Sequence, residues 1–185
     1  MKRTQEAVPA RPEPASSPGT PWPAWPAWPA GRILIRQADG GDLGGLRDFL
    51  SGLSLRTRYL RFFAGAPASA AMLRIMAGQR PDADALVATR NGVIIGHAMA
   101  VDTAGPPGAA ATEIGVVVAD AWQGRGVGSG LIRALAARAR DRGATTLMME
   151  VMAENRRVLA MIAGRWPDAR HDRSGAYVTV CARLG

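Results

Sequence analysis

Residues 113–143 read EIGVVVADAWQGRGVGSGLIRALAARARDRG, and they place a glycine-rich turn between a strand-like run and a helix-like run. The β-branched stretch from Thr112 to Val118 predicts a strand. After the turn, apolar residues recur at helical spacing, which predicts a helix from about Ser129 to Arg142. Gly143 stands where a C-terminal cap belongs. Strand, turn and helix in this order predict a fold that mixes sheet and helix.

The glycine-rich turn has the composition of a phosphate-binding loop. Glycine permits positive φ and lets the backbone approach a ligand closely. The amides that open a helix are unpaired, and the helix dipole adds positive potential there. The turn therefore predicts a pyrophosphate cradle. Its residues are Gln123, Gly124, Arg125, Gly126, Val127, Gly128 and Ser129, in which Arg125 can add positive charge.

Two familiar phosphate loops do not fit this turn. The NTPase loop requires a lysine after its second glycine, and the turn contains none. The dinucleotide fingerprint is also not matched, because Ser129 stands at the third glycine position. Its acidic partner is missing too, since Glu150 falls within a strand and too far along. A glycine turn without a ligand stays as the alternative.

The rest of the sequence alternates between strand-like and helix-like segments. Residues 33–35 predict a short strand, and helical stretches begin near Asp42, Ser54 and Ser69, with Asp42 as a predicted cap. Asn91-Gly92 between apolar runs predicts a β-hairpin. Strand 145–152, helix 154–164 and strand 176–182 complete the chain. The order predicts an α/β (α+β) domain with a mixed sheet flanked by helices.

Residues 1–31 differ in composition from residues 32–185, over which we predict the folded domain. Eight of the thirteen prolines fall in this segment, and the tripeptide Trp-Pro-Ala occurs three times. Proline fixes φ and lacks an amide hydrogen, so we predict a disordered tail. A docking arm is the alternative, because a polyproline helix of about three residues per turn would align three rings. These rings are Trp22, Trp25 and Trp28.

Charge and cysteine content exclude several classes of protein. The net charge is +8, but the arginines are scattered, so no nucleic-acid interface is predicted. Cys181 is the only cysteine and has no metal-ligand partners at a suitable spacing, so neither a disulfide nor a metal site is expected. No segment has the length of a membrane span or the pattern of a signal peptide. A cytoplasmic protein is expected.

Three motifs resemble those of the GNAT superfamily of N-acetyltransferases. Gln123-x-x-Gly126-x-Gly128 resembles its acyl-CoA loop, residues 113–120 resemble its fourth strand, and residues 154–159 resemble its second cofactor motif. The resemblance covers about residues 32–185 and implies a mostly antiparallel central sheet with splayed central strands. It also implies acetyl-CoA as co-substrate. Beyond the loop, the cofactor contacts that it implies are Val116, Val117, Val118 and Asn155.

A narrower resemblance lies in the predicted N-terminal helices. Residues 54–63 read SLRTRYLRFF and resemble the Ser-x-x-Ser-x-Tyr-x-Arg-Phe signature of bacterial Pat-type protein lysine acetyltransferases. In that group this region shapes the acceptor side of the cleft. The same segment fits ordinary helix packing, with Leu55, Tyr59 and Phe62 in the core, and the two interpretations are compatible.

The resemblance implies direct attack of an amine on the thioester. The amine must lose a proton, and Glu113 at the start of the fourth strand is the candidate base. Glu150 is the alternative because it interrupts an apolar run, and His97 is a third candidate that also fits a structural role. A backbone amide near Val116 to Val118 would stabilise the oxyanion. Residues 160–166 lack the tyrosine with which many members protonate the thiolate.

Three functions stay open at this stage. The first is an N-acetyltransferase that acts on a primary amine, with protein lysine as the expected acceptor. The second is an acetyltransferase for a small-molecule amine. The third is a non-catalytic acyl-CoA-binding module, with the tryptophan repeat available for a protein partner.

Overall fold

The computed structural model describes residues 33–63, 69–105 and 109–184. The predicted tail, with its Trp-Pro-Ala repeat, lies outside these residues, so its disorder and its docking role stay predictions. Among the helices of the described ranges, none has the length and hydropathy of a membrane span.

A single sheet of seven strands forms the centre of the described chain. Its strands in sequence order are β1 (Ile33–Gln37), β2 (Ala83–Arg90), β3 (Val93–Ala104), β4 (Ala110–Val118), β5 (Thr146–Met152), β6 (Arg170–Ser174) and β7 (Tyr177–Arg183). Five α-helices flank it: α1 (Leu43–Ser51), α2 (Leu55–Phe62), α3 (Ala70–Met76), α4 (Val127–Asp141) and α5 (Arg156–Arg165).

The spatial order of the strands is β1-β2-β3-β4-β5-β7-β6, and only the β4–β5 pair is parallel. This pair is short, since its register runs only from Ala111 opposite Thr146 to Glu113 opposite Met148. Both strands continue, β4 to Val118 and β5 to Met152, so they separate beyond Glu113. The prediction of a mixed, mostly antiparallel sheet with splayed central strands is confirmed.

The predicted hairpin joins β2 and β3. Asn91 and Gly92 both have positive φ, 50° and 79°, as a two-residue turn between right-twisted strands requires. The pairing register shifts between Ala88 and Thr89, which marks an irregularity in the ladder. The hairpin holds β3 beside β4 along the full length of β4.

Each face of the sheet carries its own apolar core. On one face, α4 and α5 pack through Leu131, Leu135 and Ile162, all at most 1% exposed. On the other face, α1 and α3 pack through Leu46 and Met76. Helix α2 lies on this second face and contacts β4 and β5. Strand alternation thus separates a cofactor-loop face from a face formed by the N-terminal helices.

The cap predicted at Asp42 is wrong. A short 3-10 turn, Gly40–Asp42, precedes α1, and Asp39 is the residue whose side chain caps it. Asp42 stands at the N-cap of α1 but makes no capping bond there. Its buried carboxylate instead accepts two hydrogen bonds from Arg36, at 2.6 and 2.7 Å. The same carboxylate also accepts the Asp39 amide at 3.0 Å, which completes a capping box around the 3-10 turn and leaves α1 without a side-chain cap.

Two boundaries and one strand also differ from prediction. Helix α4 begins at Val127, two residues early, because Gly126 adopts φ +83° and serves as its N-cap. Helix α5 begins at Arg156, because Asn155 caps it. Strand β6 was not predicted as a strand; all five of its residues are exposed, so its sequence carries no apolar alternation. Gly143 follows α4 with φ +90°, as its predicted role as a cap requires.

Candidate active site

A cleft of ≈ 730 Å³ opens where β4 and β5 separate. Its walls come from α2 and α3, from β3 and the two central strands, and from the glycine loop, the start of α4 and one side of α5. Among the residues of the predicted site, those that line the cleft are Glu113, Val116, Val117, Val118, Gln123, Gly124, Gly126, Gly128, Ser129, Glu150 and Asn155.

The glycine loop lies beyond the C-terminal end of β4, on the side toward which the strands diverge. Gly124 and Gly126 have φ values of 74° and 83°, which an L side chain rarely adopts. Gly126 provides no side-chain cap for α4, so the first amides of this 15-residue helix lack a side-chain partner. These amides and the helix dipole place positive potential at the cleft wall.

Two predicted cofactor residues lie away from the cleft lining. Val127 is only 1% exposed and packs into the core beneath α4. The guanidinium of Arg125 lies 5.2 Å from the centre of the Trp122 ring. The Arg90 guanidinium also lies over this ring, at 4.8 Å, so cation–π contacts account for where Arg125 points.

Helix α2 is tied to the loop by a hydrogen-bond network centred on Asp120. Its carboxylate accepts hydrogen bonds from the Ser54 amide (3.0 Å), the Ser54 hydroxyl (2.7 Å) and the Thr57 hydroxyl (2.7 Å). Partial burial acts to raise the pKa of Asp120, but the bonds from Ser54 and Thr57 outweigh it and hold this pKa below its usual value. Gln123 adds a link, since its Nε2 donates to Thr57 Oγ1 and to Val118 O, both at 3.1 Å.

Asn155 and Arg157, at the start of α5, form a further part of the cleft wall. The side chain of Asn155 accepts the Val158 amide at 3.4 Å and caps α5. Arg157 reaches from α5 over the glycine loop, where a Cβ on Gly124 would overlap its Nη2 atom. Sequence analysis assigned no role to Arg157; the signal was a basic residue two positions after the helix-opening asparagine.

Both candidate carboxylates lie on the α2 face of the sheet. Glu113 shares this face with Gly115 and Val117, as alternation predicted, and Val117 packs in the core of the N-terminal helices. Glu150 is on the same face of β5, because its neighbours Met149 and Val151 belong to the opposite core. Both carboxylates are exposed and line the cleft on either side of the gap.

The backbone of β4 directs one of its central amides into the gap. Ala119 N donates to Ile95 O on β3, whereas Ala110 O accepts from Thr145 N on the opposite side. Because backbone groups alternate in direction along a strand, Val116 N–H faces away from β3. Strand β5 pairs with β4 only as far as Glu113. No β5 residue is therefore paired with Val116, and the Val116 amide faces the cleft.

Arg61 is a cleft residue to which sequence analysis gave no chemical role. Its guanidinium lies against Gly115, where an added Cβ would be 2.5 Å from Cζ. Burial lowers the pKa of this guanidinium, while the charge of Glu113 acts in the opposite direction. Phe62, the next residue on α2, offers its ring at 5.0 Å.

His97 has a structural role, which the sequence analysis considered beside a role as catalytic base. It is fully buried, and its Nε2 lies 2.9 Å from Met76 O. Burial, together with the nearby charge of Arg61, lowers its pKa to about 4, although the Met76 carbonyl and Asp42 act to raise it. His97 does not line the cleft.

The chain resembles known acetyltransferases in sequence and in structure. Residues 53–163 match the family model described as the acetyltransferase (GNAT) family. The GNAT domain of S. lividans PAT is similar over 85% of this chain and 100% of that chain, at 26% identity and a TM-score of 0.73. No curated protein sequence is a significant match.

Two further solved structures share the fold at lower identity. A GNAT-family acetyltransferase from Streptococcus pneumoniae is 17% identical, with a TM-score of 0.66 over 83% of this chain and 100% of that chain. The PaiA N-acetyltransferase from Thermoplasma acidophilum, solved in complex with coenzyme A, is 14% identical, with a TM-score of 0.63. It covers 82% of this chain and 99% of its own.

Proposed function

This chain belongs to the GNAT family of acetyltransferases, which use acetyl-CoA as co-substrate, and we propose that it acetylates the ε-amine of a protein lysine by direct attack in a ternary complex. The observation that carries the proposal is the gap between β4 and β5. A glycine loop lies at the C-terminal end of β4, and two carboxylates flank the gap on one face.

The cleft has the features that acetyl-CoA requires. Gly124 and Gly126 have no side chains and adopt positive φ, so the backbone amides of the loop can approach and hold a pyrophosphate. Arg157 lies over the same loop and can pair with phosphate oxygens. Val116 and Asn155 also line the cleft, and the Val116 amide faces the gap in which the pantetheine and thioester would be held.

Glu113 is the proposed general base. A lysine amine has a reference pKa of about 10.4, so it arrives protonated and must lose a proton before it can attack. Glu113 lies where the strands begin to separate, on the face that α2 covers. It can take the proton directly or through a water molecule. Glu150, across the gap on the same face, is the alternative base.

The acceptor side of the cleft suits the stem of a lysine. Beside Arg61 and Arg80, its wall includes the apolar side chains Leu60, Phe63, Met72, Ile75 and Met99. A lysine side chain carries four methylene groups, which gain from apolar contact while the amine stays polar. The likeness to the GNAT domain of S. lividans PAT and the α2 signature support the same acceptor class.

Paired carboxylate variants test this proposal. We expect Glu113→Gln to lower kcat for a lysine peptide by about 10²- to 10⁴-fold, because the glutamine side chain cannot accept the proton of the amine. The affinity for acetyl-CoA should be unchanged. Glu150→Gln is the matched control and should retain most activity. The reverse ranking of the two variants would assign the base to Glu150.

An acceptor screen separates the remaining alternatives. Lysine peptides, polyamines, aminoglycosides and free amino acids are offered with acetyl-CoA, and free CoA thiol is measured over time. Turnover with peptides supports the protein-lysine assignment, whereas turnover with a small amine alone replaces it. Tight acetyl-CoA binding without transfer to any acceptor would favour the non-catalytic module.

A further inference from the structure

The guanidinium of Arg61 lies inside the cleft beside Gly115, where the charge of Glu113 acts on it without forming a direct ion pair in the described ranges. Arg61 is the seventh residue of α2, and its guanidinium lies close to the backbone of β4 at Gly115. A Cβ at Gly115 would be 2.5 Å from Cζ and 3.0 Å from Nη1, so glycine at this position is what allows the approach. The guanidinium is thus on the same face as Glu113.

The Arg61 side chain is half-buried against β4. Its Nε is inaccessible and has no hydrogen-bond partner, and within residues 33–63, 69–105 and 109–184 Arg61 forms no ion pair. Arg36 and Arg138, by comparison, each bind a buried carboxylate. Removing a charge from water is unfavourable unless a partner compensates. The fold therefore holds a partly buried positive charge at a point that a substrate can reach.

The chemistry of the cleft identifies which negative charge can meet this cation. The phosphates of acetyl-CoA belong at the glycine loop, and the acceptor amine is neutral or positive. The Val116 amide, one residue after Gly115, faces the gap in which the thioester would lie. When the amine attacks, a nitrogen–carbon bond forms and the π electrons of the carbonyl move to its oxygen. That oxyanion is the new negative charge at the level of Arg61.

We propose that Arg61 is a catalytic residue that stabilises the oxyanion formed from the thioester carbonyl, together with the Val116 amide. The role rests on the acetyl-transfer function proposed above. Arg61 neither gives nor takes a proton, because a guanidinium stays charged at all working pH values. Glu113 takes one proton from the ammonium before attack. The carbonyl then re-forms, the carbon–sulfur bond breaks with its electron pair on sulfur, and the second proton of the nitrogen passes to the departing thiolate, directly or through water.

A fixed cation also fits the lack of a tyrosine on α5. The cleft residues of this helix near its middle are Met161 and Ile162, whose side chains cannot donate a proton. Charge stabilisation by a pre-oriented group in a desolvated site is often the largest contribution to catalysis. The Phe62 ring and the Gly115 backbone lie against the Arg61 guanidinium, so it is oriented toward the gap before substrate arrives.

Charge substitution on α2 tests this role. We expect Arg61→Gln to lower kcat by about 10²- to 10³-fold, the loss seen when one oxyanion donor is removed, with acetyl-CoA affinity by calorimetry unchanged. Arg61→Lys keeps the charge and should retain at least tenfold more activity than Arg61→Gln. Arg58→Gln is the matched control, because the buried Nε of Arg58 also lacks a partner but Arg58 does not line the cleft.

Near-wild-type kcat in Arg61→Gln would overturn the proposal, and so would equal losses in the lysine and glutamine variants. If Arg61→Gln does not fold, Gly115→Ala decides, because its Cβ must displace the guanidinium while the charge is kept. A fall in kcat with intact acetyl-CoA binding supports the role, and an unchanged kcat refutes it. Glu113→Gln tests the acetyltransferase function separately, so the two failures are distinguishable.

Discussion

The buried histidine predicts how the stability of the fold depends on pH. Nε2 of His97 faces the Met76 carbonyl, so this nitrogen carries the hydrogen and donates it. Nδ1 is buried with no hydrogen-bond partner. A second proton would have to go to Nδ1, which has no acceptor, and would add a charge near Arg61. The folded chain therefore keeps His97 neutral, with a pKa of about 4.

The direction and size of the effect follow from this lowered pKa. An unfolded histidine has a pKa near 6.5, whereas the pKa of folded His97 is about 4. Between these pH values the imidazole is protonated in the unfolded chain and neutral in the folded chain. Stability is thus lost as pH falls through this window. Between pH 7 and pH 5 the free energy of unfolding should fall by about 2 kcal/mol. Asp42 and Asp120, whose pKa values are lowered, lose their stabilisation only at lower pH.

Urea unfolding at pH 5, 6 and 7 measures this dependence. The wild type should lose about 2 kcal/mol across the range, whereas His97→Gln should be nearly flat because glutamine does not titrate. His171→Gln is the control, since the only other histidine is exposed on β6 and should leave the dependence unchanged. A flat wild-type profile, or an equal slope in His97→Gln, would refute the assignment of a buried neutral imidazole.

Three further substitutions test other parts of the structure. Asp120→Ala removes the acceptor of three hydrogen bonds and should lower the free energy of unfolding by about 1–3 kcal/mol; an unchanged midpoint in urea contradicts the network. Leu135→Ala leaves a cavity under α4 and should lower the free energy of unfolding by about 2–5 kcal/mol in the same assay. A smaller loss would mean that the surrounding core collapses into the cavity. Arg157→Ala should weaken acetyl-CoA binding about tenfold, and calorimetry showing wild-type affinity would remove Arg157 from the phosphate site.

Local patterns in the sequence predicted the elements that position the cofactor. The Asn91-Gly92 hairpin, the strand before the glycine loop and the helix after it follow from turn chemistry and apolar spacing, because both depend on neighbours in sequence. The face shared by Glu113 and Gly115 follows from strand alternation alone. The first residues of α4 and α5 differ from those predicted, because the caps Gly126 and Asn155 determine where these helices begin.

Contacts between distant segments could not be predicted in this way. Arg61 reaches Gly115 from a helix more than fifty positions earlier, and no local pattern shows that the two meet. The bonds from Ser54 and Thr57 to Asp120 are of the same kind, although the α2 signature had marked both residues. Strand β6 lacked a signal because an exposed edge strand needs no apolar face.

Calorimetric titration with acetyl-CoA tests the central claim, that the glycine loop between β4 and α4 holds the co-substrate. Wild type is compared with Gly126→Glu, which puts a negative side chain at the helix start, and with Gly143→Glu, a control at another positive-φ glycine with open space around it. We expect binding in the micromolar range for wild type and Gly143→Glu, and none for Gly126→Glu. No binding by wild type, or equal binding by Gly126→Glu, would contradict the account.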